Sequence, residues 1–350
     1  MTVNTELSDQ LLDVLRTAAG EPGLAYRRRP EPLLGGFAAE LLSFSLADPP
    51  AGWPEKLVAR LMPDPGPARK ETIAQSALAA AGFPTPAVRA SGGPEDGLGR
   101  AFMIMDLAPG RPLLDGLGGA GAVTSGPGLL RRIPDVLASA SARLHALDPA
   151  LIRDQLAGPA AAEAGQAGYA PVTVPGLISA AGGYAARFGR PDLASAARWL
   201  TEHAPAPVPD VICHGDLHPF NLLADGDRIT VLDWSNVLIG PRAHDVGFTS
   251  LLLSEPPLDV PGWGRPPVRA LGRLLAGRFV RCYERAAGVR IGAGELRYHQ
   301  AVVCLRALTE VAGWVHQGTA GERSGHPWLV SGPAFARRLS RVTGVPVRPR

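Results

Sequence analysis

The run His214-Gly215-Asp216-Leu217-His218-Pro219-Phe220-Asn221, followed by Val231-Leu232-Asp233-Trp234, gathers the side chains best suited to chemistry. Asp216 and Asn221 stand in the order D-x-x-x-x-N, and Asp233 ends an apolar run twelve residues after Asn221. A carboxylate beside a hydroxyl can take its proton as the oxygen attacks phosphorus. An amide oxygen and a second carboxylate are hard donors that hold Mg²⁺ against nucleotide phosphates. The spacing therefore points to phosphoryl transfer. The turn Ala224-Asp225-Gly226-Asp227 is expected to fold the strand Arg228–Leu232 back on Val211–Cys213, bringing Asp233 beside Asn221. His214 and His218 have the i, i+4 spacing of two zinc ligands on a helix. Gly215 and Pro219 break such a helix, and the Glu of H-E-x-x-H is absent, so zinc hydrolysis is set aside.

Together the two motifs resemble the catalytic core of the aminoglycoside phosphotransferase / choline kinase-like family, relatives of the protein kinases. The likeness runs from about Leu33 to Trp314. It implies an α+β, bilobal, protein-kinase-like fold using ATP (or GTP) with Mg²⁺. Asp216 would then be the catalytic base, with Asn221 and Asp233 as metal ligands, His214 and Asp245 supporting the loop, and His218 next to the acceptor site without an assigned role. Leu34–Phe37, with Gly35 and Gly36, matches the Gly-rich nucleotide loop. Leu57-Val58-Ala59-Arg60 matches the strand whose basic residue meets the α/β-phosphates, and Glu71 the glutamate that pairs with it. Arg60 stands where protein kinases use Lys; Lys56 and Lys70 are the alternatives. Phe102–Gly110 resembles the hinge, where backbone groups of Met105 and Leu107 would meet adenine. Leu144-His145-Ala146-Leu147-Asp148 is another recurrent family signature, read as structural. His-Gly-Asp in place of His-Arg-Asp, and the short run from Trp234 to Asp245, argue against a true protein kinase. The retained Asp216, Asn221 and Asp233 argue against a pseudokinase that serves only as an interaction module.

The elements that must carry these residues follow from periodicity and punctuation. Leu11, Leu12 and Leu15 after Ser8 predict a helix over 7–19 with Ser8 as its cap. Strand-like pieces are expected at Leu33–Phe37, Glu40–Leu46, Lys56–Leu61, Ala87–Ser91 and Arg100–Leu107, with a helix over Ala68–Ala81. Past Pro109-Gly110 the pattern turns helical: a helix opening at Pro134, then Gly176–Phe188, Pro191–His203, Val268–Ala287, Glu295–His316 and Pro333–Val342. Gly116–Gly128 and Gly158–Gly168 read as loops. The division expected is a nucleotide-binding lobe over 1–107 and a larger, mainly helical catalytic and substrate-binding lobe over 108–350.

The chain has 350 residues, 46% hydrophobic and 19% charged, which fits a folded enzyme. A net charge of +3, without a basic stripe, does not suggest nucleic-acid binding. Three scattered cysteines make a disulfide framework unlikely on spacing and fit a reducing compartment. With neither a leader-like N-terminus nor a long apolar run, a cytoplasmic enzyme without membrane association is expected. Its partner would be a hydroxylated small molecule; oligomeric state has no sequence signal. Residues 261–350 hold four acidic side chains against fifteen arginines. A site for polycationic aminoglycosides should concentrate carboxylates. A neutral or anionic acceptor, such as a macrolide, a sugar or polyol, or a hydroxyacyl thioester, is therefore favoured, with an aminoglycoside as the alternative.

Overall fold

The computed structural model describes residues 4–33, 39–114, 121–156, 172–256, 265–323 and 325–349. Contacts divide the chain into two units. Met1–Pro112, Ala150–Ala170 and Leu222–Asn236 make the first; Leu113–Pro149, Pro171–Asn221 and Val237–Arg350 make the second.

In the first unit, α1 (Thr5–Ala19) starts two residues earlier than expected. Asn4, not Ser8, is its cap: the Asn4 side chain accepts the Glu6 N–H at 3.1 Å, and Ser8 is buried inside the helix. Strands β1 (Tyr26–Pro32), β2 (Glu40–Leu46), β3 (Lys56–Met62), β4 (Val88–Gly92) and β5 (Ala101–Asp106) form an antiparallel sheet in the order β1-β2-β3-β5-β4. β1 was not expected, because its sequence Tyr-Arg-Arg-Arg-Pro-Glu-Pro carries no apolar alternation. An edge strand tolerates this: its charged side chains stay in water, and two irregularities interrupt its ladder with β2. The expected strand at Leu33–Phe37 falls, from Leu34 on, outside the described residues.

Alternation along β3 decides what each sheet face meets. Leu57, Ala59 and Leu61 join Leu11 and Leu15 of α1, with Leu42, Leu46 and Ile104, in one core. Each such leucine contributes about 1.5–3 kcal/mol by burial. Met62, with Met103, packs instead with Ala68 of α2 (Pro65–Ala80). Period two thus turns Arg60 to the same face as Val58 and Met62, the face that α2 covers. β6 (Arg111–Pro112), β8 (Leu222–Asp225) and β9 (Arg228–Val231) form a second antiparallel sheet, with Gly226 at φ +60° in the β8–β9 turn. The hairpin is therefore real, but its partner strand is Leu222–Asp225 rather than Val211–Cys213. A two-residue turn can pair only the segments that flank it directly.

The second unit is mainly helical: α3 (Gly121–His145), α5 (Val174–Arg187), α6 (Pro191–Glu202), α7 (Arg242–Ser254), α8 (Arg265–Ala287), α9 (Ala293–His316) and α10 (Pro327–Thr343), α4 (Ala150–Leu156) belonging to the first unit. α9 is its axis, packing on α5, α6, α7 and α10, and it is buried almost continuously from Tyr298 to Gly313. β7 (Asp210–Cys213) pairs antiparallel with β10 (Leu238–Pro241). Pro134 lies well inside α3 instead of opening it, and part of the loop expected over Gly116–Gly128 is helical. An interior proline costs about 3 kcal/mol; burial of Ile133, Leu137 and Leu144 on the same helix offsets it. The loop expected at Gly158–Gly168 lies outside the described residues. Among the described residues no helix is long and apolar enough to cross a membrane.

Candidate functional site

Two charged clusters, one in each unit, contain most of the residues that the motifs single out. In the first unit, Arg60 Nε lies 3.2 Å from Glu71 Oε1, and Arg60 Nη2 lies 3.5 Å from Asp233 Oδ1. Arg60 and Glu71 are buried, Arg60 projecting from β3 and Glu71 from α2. Burial opposes charge on Arg60, yet Glu71 and Asp233 hold its guanidinium above the ordinary value. Burial likewise pushes the Glu71 carboxyl up, to about 7, with Asp233 adding to the rise and Arg60 countering it.

Asp233 has a strained backbone and is held in place by its neighbours. Its φ is +66°, the one positive value at a non-glycine among the described residues. Left-handed backbone costs a side-chain-bearing residue about 1–2 kcal/mol, a pattern concentrated at functional sites. Ser235 donates to Asp233 Oδ1 from its hydroxyl at 2.6 Å and its backbone N–H at 3.3 Å. Trp234 next to it is fully buried; its indole N–H donates to Thr85 Oγ1 at 2.8 Å and its ring meets Phe83 edge-on.

At the end of β5, Met105 Sδ accepts from Gln75 Nε2 at 3.2 Å, and the Leu107 N–H donates to the Lys56 carbonyl at 3.1 Å. Lys56 is exposed at the start of β3 and Lys70 is buried on α2. Gly35 and Gly36 lie outside the described residues.

In the second unit, the segment after β7 is clamped from beneath by Asp245. This carboxylate is fully buried on α7. Its Oδ2 accepts the His214 N–H at 3.0 Å and its Oδ1 the Gly215 N–H at 2.8 Å. His145 Nε2 lies 3.1 Å from Oδ2, and His145 Nδ1 lies 2.7 Å from the Tyr283 hydroxyl. A carboxylate only accepts, so Nε2 turns an N–H toward Asp245. Burial alone would raise the Asp245 carboxyl; His145, His214 and the Gly215 N–H outweigh it and hold the group at about 2.

Gly215, at φ +74°, makes the turn that presents both amides to Asp245. Beyond it the Asn221 side-chain N–H donates to the Asp216 carbonyl at 3.0 Å, its backbone N–H to the His218 carbonyl at 3.0 Å. Thr249 of α7 donates to the Leu217 carbonyl at 2.8 Å. His218 Nε2 stands 4.0 Å from Asp216 Oδ2. The fork of Arg306, on α9, reaches the Gly215 carbonyl at 2.9 Å and stands 3.7 Å from Asp216 Oδ1.

The sequence motifs miss Arg306, Thr249 and Tyr283, and His145 enters them only as a structural signature. No motif includes Arg306, one arginine among many in its region.

Residues 35–288 match the model of the phosphotransferase enzyme family. Curated protein sequences contain no match. Among solved structures, a candidate aminoglycoside phosphotransferase from Ralstonia eutropha JMP134 is similar at TM-score 0.63 and 21% identity, covering 97% of each chain. Aminoglycoside phosphotransferase APH(4)-Ia is similar at TM-score 0.59 and 19% identity, over 95% of this chain and 98% of that one. APH(3'')-Id from Streptomyces rimosus ATCC10970 is similar at TM-score 0.51 and 19% identity, over 85% of this chain and 98% of that one. At these identities the likeness establishes the α+β, protein-kinase-like fold, while the family match covers well over half of the chain. The chain belongs to the phosphotransferase enzyme family.

Proposed function

We propose that the chain is a small-molecule kinase that moves the γ-phosphoryl group of ATP to a substrate hydroxyl with Mg²⁺. The observation that carries this reading is the loop of Asp216 and Asn221: the buried carboxylate of Asp245 accepts the His214 and Gly215 amides just before it, and Asn221 donates to the Asp216 carbonyl. In this reading Asp216 orients the hydroxyl and accepts its proton late, because a loose transition state delays proton loss. Arg60, kept charged by Glu71 and Asp233, would neutralise phosphate charge.

Asn221 donates through Nδ2 to the Asp216 carbonyl, so its amide oxygen remains as the donor for a hard cation. The Asp233 carboxylate is a donor of the same kind, and both fit Mg²⁺. Bound Mg²⁺ would offset the charge of the phosphates. APH(4)-Ia variants have been crystallised with ADP or AMP-PNP and hygromycin B. They replace an Asp and an Asn five positions apart, the separation of Asp216 and Asn221 here.

For the acceptor, the arginine-rich 261–350 region favours a neutral or anionic hydroxyl compound. The aminoglycoside reading draws on APH(4)-Ia with hygromycin B and APH(3'')-Id with streptomycin. An ADP-release screen of hydroxylated metabolites, macrolides and aminoglycosides decides between them. Asp216→Ala and Asp233→Ala should each remove at least ~10³-fold of the rate with the fold intact. Full activity in either removes its assignment, and Mg-ATP binding without turnover on any acceptor would favour a pseudokinase.

A further inference from the structure

Arg306 is a buried charge that the loop motif does not explain. It projects from α9 and is 4% exposed. Its Nη1 donates to the Gly215 carbonyl at 2.9 Å, its Nη2 stands 3.7 Å from Asp216 Oδ1, and its Nε stands 3.4 Å from Glu310 Oε1. Its guanidinium lies over the rings of Phe248, at 5.4 Å, and Trp328, at 5.7 Å. The Trp328 indole N–H donates to Glu310 Oε2 at 2.9 Å, so the second carboxylate is itself held.

A guanidinium is planar and presents its N–H groups in a fixed fork. Two rings flank it and Glu310 lies beside Nε, so little room is left for it to turn its other edge away from the loop. That edge donates to the loop carbonyl just before Asp216 and stands in ion-pair range of one oxygen of Asp216 itself. Burying a cation this deeply costs several kcal/mol unless carboxylates and carbonyls surround it; here two carboxylates and a carbonyl do.

Resting on the reading of Asp216 as the base, we infer that Arg306 is its positioning residue. Through α9 it fixes the height of the loop at Gly215 and engages Oδ1 of the carboxylate. A lysine at this position would keep the charge, but as a point donor it cannot serve the carbonyl and the carboxylate together.

The test measures ADP release from Mg-ATP with water as the acceptor, in wild type, R306M, R306K, D216N and the packing control Y298F. Tyr298 donates to the Leu200 carbonyl at 2.7 Å, so Y298F loosens α9 away from Asp216. R306M should lose about 10²-fold in kcat, the scale of a misplaced catalytic group, with the KM for Mg-ATP within about twofold of wild type. R306K should recover part of that loss. Y298F should lower the melting temperature and keep the wild-type kcat.

Wild-type kcat in R306M overturns the inference, as does a loss that appears wholly in KM or equally in Y298F. If R306M does not fold, R306K decides: an unchanged kcat there overturns it too. D216N at the wild-type rate would refute the reading of Asp216, and this inference with it. D216N inactive beside a fully active R306M would refute the role of Arg306 alone.

Discussion

Replacing Asp245 with Asn changes two atoms at most in shape but inverts the hydrogen-bond chemistry of half the group. The site presents three donors: His214 N–H and His145 Nε2–H to Oδ2, and Gly215 N–H to Oδ1. A carboxylate accepts from all three, whereas a carboxamide accepts on one side only. With its oxygen in the Oδ2 position, Asn turns an NH₂ against the Gly215 N–H. Flipped, it turns the NH₂ against the His214 N–H, and a change of His145 tautomer relieves only the histidine. At least one buried backbone N–H is left facing another donor, which costs about 1–3 kcal/mol, and the surviving bonds lose their charge assistance. The sum is about 2–4 kcal/mol. Linkage gives a similar figure from a different direction. The Asp245 carboxyl sits at about 2 in the fold against 3.8 as a free group, a difference worth on the order of 2 kcal/mol. Because the folded value is the lower one, this stability is present above pH ~3.8 and is lost as pH falls through ~2.

Urea unfolding at pH 7 reads the global term, and amide hydrogen exchange at His214 and Gly215 reads the loop. Asp245→Asn should lower stability by about 2–4 kcal/mol and speed exchange at the two amides by about 30- to 900-fold. A variant within ~0.5 kcal/mol of wild type, the ordinary scale of a neutral surface change, with unchanged exchange would refute the reasoning. The loop would then be held by something other than this carboxylate.

Two further outcomes follow from other parts of the molecule. Burial holds His244 at about 4 and His299 at about 3, their rings 5.8 Å apart in an edge-on pair. Both values lie below that of the unfolded chain, so stability is full above pH ~6.5 and falls as pH drops toward ~4. His244 alone accounts for roughly 3 kcal/mol of this, and His244→Leu should flatten the dependence in urea midpoints between pH 7 and 4.5; an unaltered slope would contradict the buried neutral pair. Gly110 has φ +100°, and a Cβ there would come within 2.5 Å of the Ala224 carbonyl oxygen, between the ends of β6 and β8. Gly110→Ala should therefore cost about 1–3 kcal/mol, seen as a lower melting temperature; an unchanged one would mean that the β6–β8 pairing yields at no cost.

How much of this could be read beforehand depends on the range of the interaction that decides each feature. The alternation Leu57, Ala59, Leu61 against Val58, Arg60 is local. It places Arg60 on the face of β3 that α2 covers, where Glu71 meets it at 3.2 Å. Both the strand and the helix are legible for the same reason. The cap of α1 shifted from Ser8 to Asn4 because competing caps differ by a few tenths of a kcal/mol, too little for spacing to decide. β1 was hidden because an exposed edge strand needs no apolar pattern at all. The β8–β9 turn was visible, but the more apolar strand Val211–Cys213 competed for the same partner and in fact pairs with Leu238–Pro241.

The site separates along the same line. Asp216, Asn221 and Asp233 announce themselves by spacing within one short segment, and Asp245 by its nearness to that segment in the chain. Arg306 is bound to the loop across 91 residues, and its neighbours in sequence are ordinary core positions of a buried helix. What distinguishes it is that a buried arginine must find acceptors. On α9, most of which is buried between Tyr298 and Gly313, a charge at 306 could be tolerated only if carboxylates and carbonyls were already facing it. The clue was therefore a charged residue inside an otherwise apolar helical run, Ala301-Val302-Val303-Cys304-Leu305-Arg306-Ala307-Leu308. Counting the tail's arginines as one basic face obscures it. The opposite weighting, in which the arginine least able to reach water is the one most tied to chemistry, follows from the cost of burying charge.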